Sequence, residues 1–307
     1  MSATGAPNRT KIIQISDPHF GTTTEAKKQA LLDSIHEIEP NLILLSGDIT
    51  QRATEEQFHE ARAFVEKLAP IDVITVPGNH DISLWNVAKR LLNPYGDFKH
   101  AFGGKLDHRW AKGSIEVIGL NSTSSFRHTQ GDLLDADFEK LKSFSPDTSV
   151  RLLMFHHPMD CAKHIDSKNL LKNSSIALKR FEEANIDIIL GGHVHDPLAR
   201  LSDKRYEGIT RPIILSVAGT CLSSRTRYAA PNSFNFIDVY AHAAVAPGLV
   251  READIRIHRY DMSVEGKFSA CLEARFARNN TGVWRDVENP TEISKALDPV
   301  DAKVPVV

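Results

Sequence analysis

The chain has 307 residues, 41% hydrophobic and 25% charged, and its Lys+Arg 37 against Asp+Glu 39 gives a net charge of -2 at pH 7. That near balance leaves no basic footprint for a polyanion, so a long nucleic acid is not expected as substrate or partner. The start, MSATGAPNRT, lacks the apolar core of a signal peptide and no run of about 18 apolar residues occurs, so a cytoplasmic protein with no membrane span is expected.

In chain order, KIIQIS (11–16) reads as a buried strand, being short, apolar and bounded by polar residues. A helix is expected over 25–37, then a strand in NLILLSGD (41–48). The clearest helix follows over 54–68: Phe58, Ala61, Phe64, Val65 and Leu68 make one apolar stripe, and Thr54 with Gln57 forms a capping-box pattern. Strands are expected in DVITVPGNH (72–80), SIEVIGLNS (114–122), SVRLLMFHH (149–157) and IDIILGGHVH (186–195), with helices over 135–143 and 173–184. This alternation predicts an α/β domain with helices outside the sheet.

Beyond Arg200 the pattern changes. RPIILSVAG, SFNFIDVY, ADIRIHRYD and FSACLEARFA follow one another with no helix between, so antiparallel strands over about 210–280 are expected to form or complete a second sheet. One domain over 1–285 is expected, its core at 11–200, followed by a polar, loosely packed tail over 286–307. An exposed strand in the final third is the candidate surface for a homodimer. Cys161, Cys221 and Cys271 are odd in number and far apart, which predicts free thiols.

The strand ends carry the chemistry. Asp17-Pro18-His19 closes the first strand, Gly47-Asp48 the second, and Gly78-Asn79-His80-Asp81 the third. His156-His157-Pro158 closes the fifth and Gly192-His193-Val194-His195 the sixth. In open α/β sheets ligands bind outside the carboxyl ends of the strands, so five segments deliver Asp, Asn or His to one edge. Each fragment alone is an ordinary turn or cap, but the set in this order points to metals. His193 and His195, two apart in extended chain, point to the same side.

These motifs, spanning Asp17 to His195, resemble the calcineurin-like metallophosphoesterases, and within them the bacterial class III cyclic-nucleotide phosphodiesterase branch. The loop Gly219 to Asn235 is similar to a segment of that branch, with less specificity. The resemblance implies a four-layer α/β/β/α sandwich with a dinuclear metal site at the C-terminal edge of the central β-sandwich. It implies that Asp17, His19 and His195 hold one metal, that Asn79, His156 and His193 hold the other, and that Asp48 bridges both. His193 and His195 thus serve different ions, where the residues alone suggested one.

Imidazole and carboxylate ligands together suit two divalent transition-metal ions, Mn, Fe or Zn, better than Mg or Ca. The expected reaction is hydrolysis of a small phosphodiester, with 3',5'-cyclic AMP as a candidate, by in-line attack of a metal-bridging hydroxide. The resemblance casts His80 as the group that contacts the phosphate and protonates the leaving oxygen, with Asp81 orienting it. Asn79 and His80 then face the substrate.

Other assignments stay open in the sequence. Either His156 or His157 could face the metal; the family pattern selects His156 and leaves His157 outside the coordination sphere. Met159 stands where many relatives have a second proline. Arg225 and Arg227 either contact the substrate or pair with acidic neighbours. Alternatives within the fold are a phosphomonoesterase and a glycerophosphodiester or phospholipid-type hydrolase; from another class, a non-catalytic metal-binding scaffold.

Overall fold

Short apolar runs can be buried on both faces, and here that decides the architecture. A computed structural model describes residues 7–84, 86–127, 129–242, 252–287 and 304–305. The six expected runs form β1 (Asn8–Ile15), β2 (Leu42–Ser46), β3 (Asp72–Val76), β5 (Ile115–Gly119), β6 (Val150–Met154) and β7 (Ile188–Gly191), with β4 (His108–Lys112) preceding β5. Downstream lie β8 (Leu198–Leu201), β9 (Tyr206–Glu207), β10 (Ile214–Val217), β11 (Ser233–Ala241), β12 (Ala253–Met262), β13 (Phe268–Arg278), β14 (Trp284–Asp286) and β15 (Val304–Pro305).

Two sheets carry nearly all of them. The first runs β14-β13-β12-β11-β1-β2-β3 and the second β4-β5-β6-β7-β10-β8. Strands β1, β2 and β3 are mutually parallel, as are β5, β6, β7 and β10, and the remaining strands of both sheets pair antiparallel. The late strands therefore divide: β8 and β10 complete the sheet of β4 to β7, whereas β11 to β14 extend the sheet that β1 begins.

Alternate residues of each central strand enter different cores. Ile12, Leu42, Leu44, Leu152, Met154, Ile188 and Leu190 meet between the two sheets. Ile13, Ile15, Ile43 and Leu45 face α1 (Glu25–Ile38) and α2 (Glu55–Glu66), in a core with Leu31, Ile35, Phe58 and Phe64. On the far side Leu153, Phe155 and Ile189 pack with Phe181 and Leu178 of α6 (Ser174–Glu183). Three apolar interfaces separate four layers, helix, sheet, sheet and helix, as period-two strands buried on both faces require.

The structure departs from expectation where apolar periodicity is absent. Helices α3 (Val87–Leu92) and α4 (Gly96–Ala101) fill the stretch after β3; α3 buries no residue and α4 only Phe98. Strand β4 is an exposed edge, tied to β3 by Trp110 Nε1 donating to Asp72 Oδ2 at 2.8 Å. The expected helix over 135–143 is α5 (Asp135–Lys140) with a 3-10 turn, Leu141–Ser143. Thr54 caps α2 by accepting from Gln57 N, but Gln57 Oε1 accepts from Arg52 N at 2.7 Å instead of closing the reciprocal half of a capping box. In the tail, Val304 and Pro305 pair parallel with Tyr206 and Glu207; residues 288–303 and 306–307, where most of the loose tail was expected, lie outside the described residues.

All three cysteines are free thiols. Among the described residues no helix is long and apolar enough to cross a membrane.

Candidate metal centre

The parallel strands of both sheets end at one edge, and the chain turns there in ways that ordinary side chains resist. Asp17 (φ 50°), His19 (φ 49°), Asp48 (φ 48°), His193 (φ 70°) and His195 (φ 55°) all occupy the left-handed region. Asp and His tolerate that conformation better than most residues, but five of seven candidate ligands in it mark stored strain, which clusters at functional sites. Asn79 to Asp81 form a 3-10 turn after β3, and His156 follows β6.

The side chains gather into two groups. Ligand atoms of Asp17, His19 and His195 lie within 4.8 Å of one another, as do those of Asp48, His156 and His193, and all six residues are buried. Asp48 faces both groups: Oδ1 is 3.3 Å from His156 Nε2, and Oδ2 is 3.8 Å from His19 Nε2. Asn79 Oδ1 is 3.2 Å from His156 Nε2, which adds an amide oxygen to the second group.

Backbone carbonyls fix which ring nitrogens face inward. A carbonyl only accepts, so the nitrogen against it carries the proton. His195 Nδ1 donates to Arg225 O at 2.7 Å, His156 Nδ1 to Ser46 O at 2.9 Å, and His193 Nε2 to Thr129 O at 3.1 Å. The lone pair on His195 Nε2 then confronts Asp17 Oδ1 at 3.0 Å, and that on His156 Nε2 confronts two oxygens. His193 Nδ1 is buried with no hydrogen-bond partner, and His19 Nε2 meets His195 Nε2 at 3.3 Å. Acceptors aimed at acceptors, with an orphaned ring nitrogen among them, fit cations, and two carboxylates with four imidazoles and an amide suit two divalent ones.

Electrostatics agree. Burial pushes the imidazoles of His19 and His193 down to about 3, leaving both rings neutral and able to offer a lone pair. Burial also opposes charge on His156, but Asp48 beside it overrides this and lifts the ring to about 9. Positive charge is thus favoured between His156 and Asp48, and a cation there takes the place of a proton.

The neighbouring residues divide less evenly. The His80 backbone N–H donates to Asp48 Oδ1 at 2.8 Å; its ring Nδ1 faces Gln51 O at 2.9 Å and its Nε2 faces Arg225 Nη1 at 3.2 Å. Asp81 was expected to orient that ring. Its carboxylate instead accepts from Ile49 N, Thr50 N, Thr50 Oγ1 and Gly78 N, so it acts on the loop backbone while Gln51 O holds the ring. Burial and the charge of Asp48 push Asp81 up to about 6, against those backbone donors. Arg225 lies at the site, whereas Arg227 Nη1 is engaged by Asp166 Oδ1 at 3.3 Å. That acidic pairing takes Arg227 away from the substrate role it shared with Arg225. His157 turns its Nδ1 to Ser122 Oγ at 2.9 Å, leaving His156 as the ring that faces Asp48 and Asn79.

Gln51, Ser46, Thr129 and Ser122 carried no sequence signal, because three of them act through backbone carbonyls that any residue possesses. Gly192 did carry one. A Cβ there would fall 1.9 Å from Ser16 Oγ and 2.4 Å from Asp17 Oδ2, so Gly192→Ala must displace the Asp17 carboxylate. A misplacement of that size costs about 10²-fold in rate. The expected result is a loss of that order in kcat/KM together with lower metal content; unchanged values of both would contradict it.

A family model described as "Calcineurin-like phosphoesterase" matches residues 10–197. The chain is 26% identical over 198 residues to a "Probable cyclic nucleotide phosphodiesterase" of Synechococcus, covering 60% of this chain and 72% of that one. It is 27% identical over 202 residues to a "Probable glycerophosphodiester phosphodiesterase" of Arcobacter nitrofigilis, covering 60% and 71%. Two solved structures share the fold. A purple acid phosphatase from yellow lupin seeds has TM-score 0.63 at 12% identity, with 90% of this chain and 55% of that one covered. A dimetal phosphatase from Danio rerio has TM-score 0.56 at 11% identity, with 85% and 98% covered.

Proposed function

The chain belongs to the calcineurin-like phosphoesterase family, and from that premise we propose that it is a phosphodiesterase acting on small diesters, with 3',5'-cyclic AMP a candidate substrate. The observation that carries the reading is Asp48, whose two oxygens turn to two separate ligand groups. A carboxylate in that position would serve a pair of divalent cations, as two-metal hydrolases use. In this assignment Asp17, His19 and His195 would hold one ion and Asn79, His156 and His193 the other, with Asp48 shared between them. The mixed ligand set favours Mn, Fe or Zn.

When bound, such ions lower the pKa of an attacking water toward about 7 and neutralise charge growing on the phosphoryl oxygens. Two carboxylates against two divalent ions leave an excess of two positive charges, which suits an anionic ester without any basic surface. The chain's own residues do the rest. Asn79 and His80 face the phosphate, and Gln51 O keeps the Nδ1 proton of His80 in place. Arg225, now donating to His80 Nε2, turns to a phosphoryl oxygen, and the freed Nε2 takes a proton from water and passes it to the leaving oxygen.

Support for a diester over a monoester comes from the relatives, two of which are named for diester substrates. Turnover of a bis-aryl phosphate, an aryl monophosphate and cyclic AMP, compared with Mn present, tests it. The diesters are expected to lead; turnover confined to the monophosphate would overturn the reading.

A further inference from the structure

One ring beside the ligands belongs to neither group, and its surroundings are built with care. The His157 backbone N–H donates to Ser122 Oγ at 3.2 Å, and its Nδ1 faces the same hydroxyl at 2.9 Å. The chain also passes so close that a Cβ on Gly131 would fall 2.4 Å from His157 Cγ and 2.5 Å from Nδ1. The ring so confined lies 4.7 Å, centroid to centroid, from His193 and 5.1 Å from His156.

The same segment reaches His193 directly, since Thr129 O accepts from its Nε2. Its ends are pinned: Asp132 N donates to Ser122 O at 3.0 Å and Lys172 N to Gly131 O at 2.9 Å. Outside, Arg90 Nε donates to Ser125 O at 2.6 Å and Tyr95 Oη to Thr123 O at 2.9 Å. No corresponding contact runs from this segment to Asp17, His19 or His195 among the described residues. Asp17 and His195 are backed by Ser16 Oγ on Asp17 Oδ2 at 2.5 Å, by Thr220 Oγ1 on Asp17 O at 2.6 Å and by Arg225 O on His195, and Asp17 Oδ2 also accepts the His193 backbone N–H at 3.0 Å.

We propose that Ser122 and Gly131 are positioning residues for one metal of the pair: through His157 they hold His193 and His156, so the ion on Asp48, His156 and His193 depends on the 122–131 segment and the other ion does not. The inference rests on the two-metal reading. Two loops then back two metals, and occupancy of the second site can change while the first stays filled. Groups that orient metal ligands typically affect affinity about 10- to 100-fold.

Mn(II) titration of the full chain, followed by metal analysis and electron paramagnetic resonance, tests this in wild type, Ser122→Ala and Gly131→Ala. Wild type should take two Mn(II) per chain and give the signal of a coupled pair. Each variant should retain one tight Mn(II), show the six-line signal of an isolated ion, and bind the second about 10- to 100-fold more weakly. Ser122→Ala, which removes one hydroxyl, carries the test if Gly131→Ala does not fold. Wild-type binding of both ions in the folded variants would overturn the inference alone. Equal weakening of both ions would also overturn it. Failure of wild type to take a second ion would remove the two-metal reading and the inference with it.

Discussion

Asp48→Ala is expected to lower kcat/KM by about 10³-fold or more, because loss of one preorganised electrostatic group already costs up to about that factor. The substitution removes more than one contact. Asp48 Oδ1 faces His156 Nε2 at 3.3 Å and accepts the His80 N–H at 2.8 Å, while Oδ2 faces His19 Nε2 at 3.8 Å. Asp17 reaches both groups too, but its Oδ2 meets the His193 backbone N–H at 3.0 Å and not a ring nitrogen. Both ions therefore lose a ligand at once, and the His80 backbone loses its acceptor. Metal content should fall below two per chain, while circular dichroism and melting report a folded protein, since Asp48 belongs to none of the three apolar cores. Wild-type turnover by the variant would refute the assignment of Asp48.

The second large effect concerns the fold. Asp187, immediately before β7, is 1% exposed and takes four donors: Arg211 Nη2 at 2.5 Å, Arg278 Nη1 at 2.6 Å, Trp284 Nε1 at 2.9 Å and Arg151 N at 2.8 Å. It fastens β13 and β14 of one sheet to β6 and β7 of the other. Removing one partner of a buried ion pair costs about 3 to 5 kcal/mol, because the charge left behind is uncompensated. Asp187→Asn keeps the shape and removes the negative charge that Arg211 and Arg278, the latter itself 4% exposed, now face. Urea unfolding at pH 7 should show a loss of that size; a change below about 1 kcal/mol, the scale of an exposed ion pair, would contradict it.

Its pH dependence follows from the same contacts. Burial alone would raise the Asp187 pKa, but Arg278 and Arg211 outweigh it and hold the carboxyl below its ordinary value. A carboxyl depressed on folding stabilises the native state above its unfolded pKa, about 3.9, and that stability is lost as pH falls through the folded value. Wild type should therefore weaken on acidification below about pH 4, and the Asn variant should lack this share of the acid limb.

Much of the site was legible because its ligands follow buried strands. Apolar runs such as Leu42 to Leu45 announce strands buried on both faces, and the polar residues just beyond them are then forced to one edge. What stayed hidden depended on contacts without sequence periodicity. Strand β4 and helix α3 bury too little to leave an apolar pattern. Arg227 pairs with Asp166, 61 residues away along the chain, so its fate was unreadable locally. Asp81 sits beside His80 in sequence, yet its carboxylate turns back to the loop after β2. The late strands were visible as strands, but which sheet each would join is set by pairing between distant segments such as β1 and β11.

Anomalous diffraction at the Mn edge from a crystal grown with Mn(II) addresses the central claim most directly. The account predicts two peaks flanking the Asp48 carboxylate, one against Asp17, His19 and His195, the other against Asn79, His156 and His193. A single peak, or none beside Asp48, would contradict it.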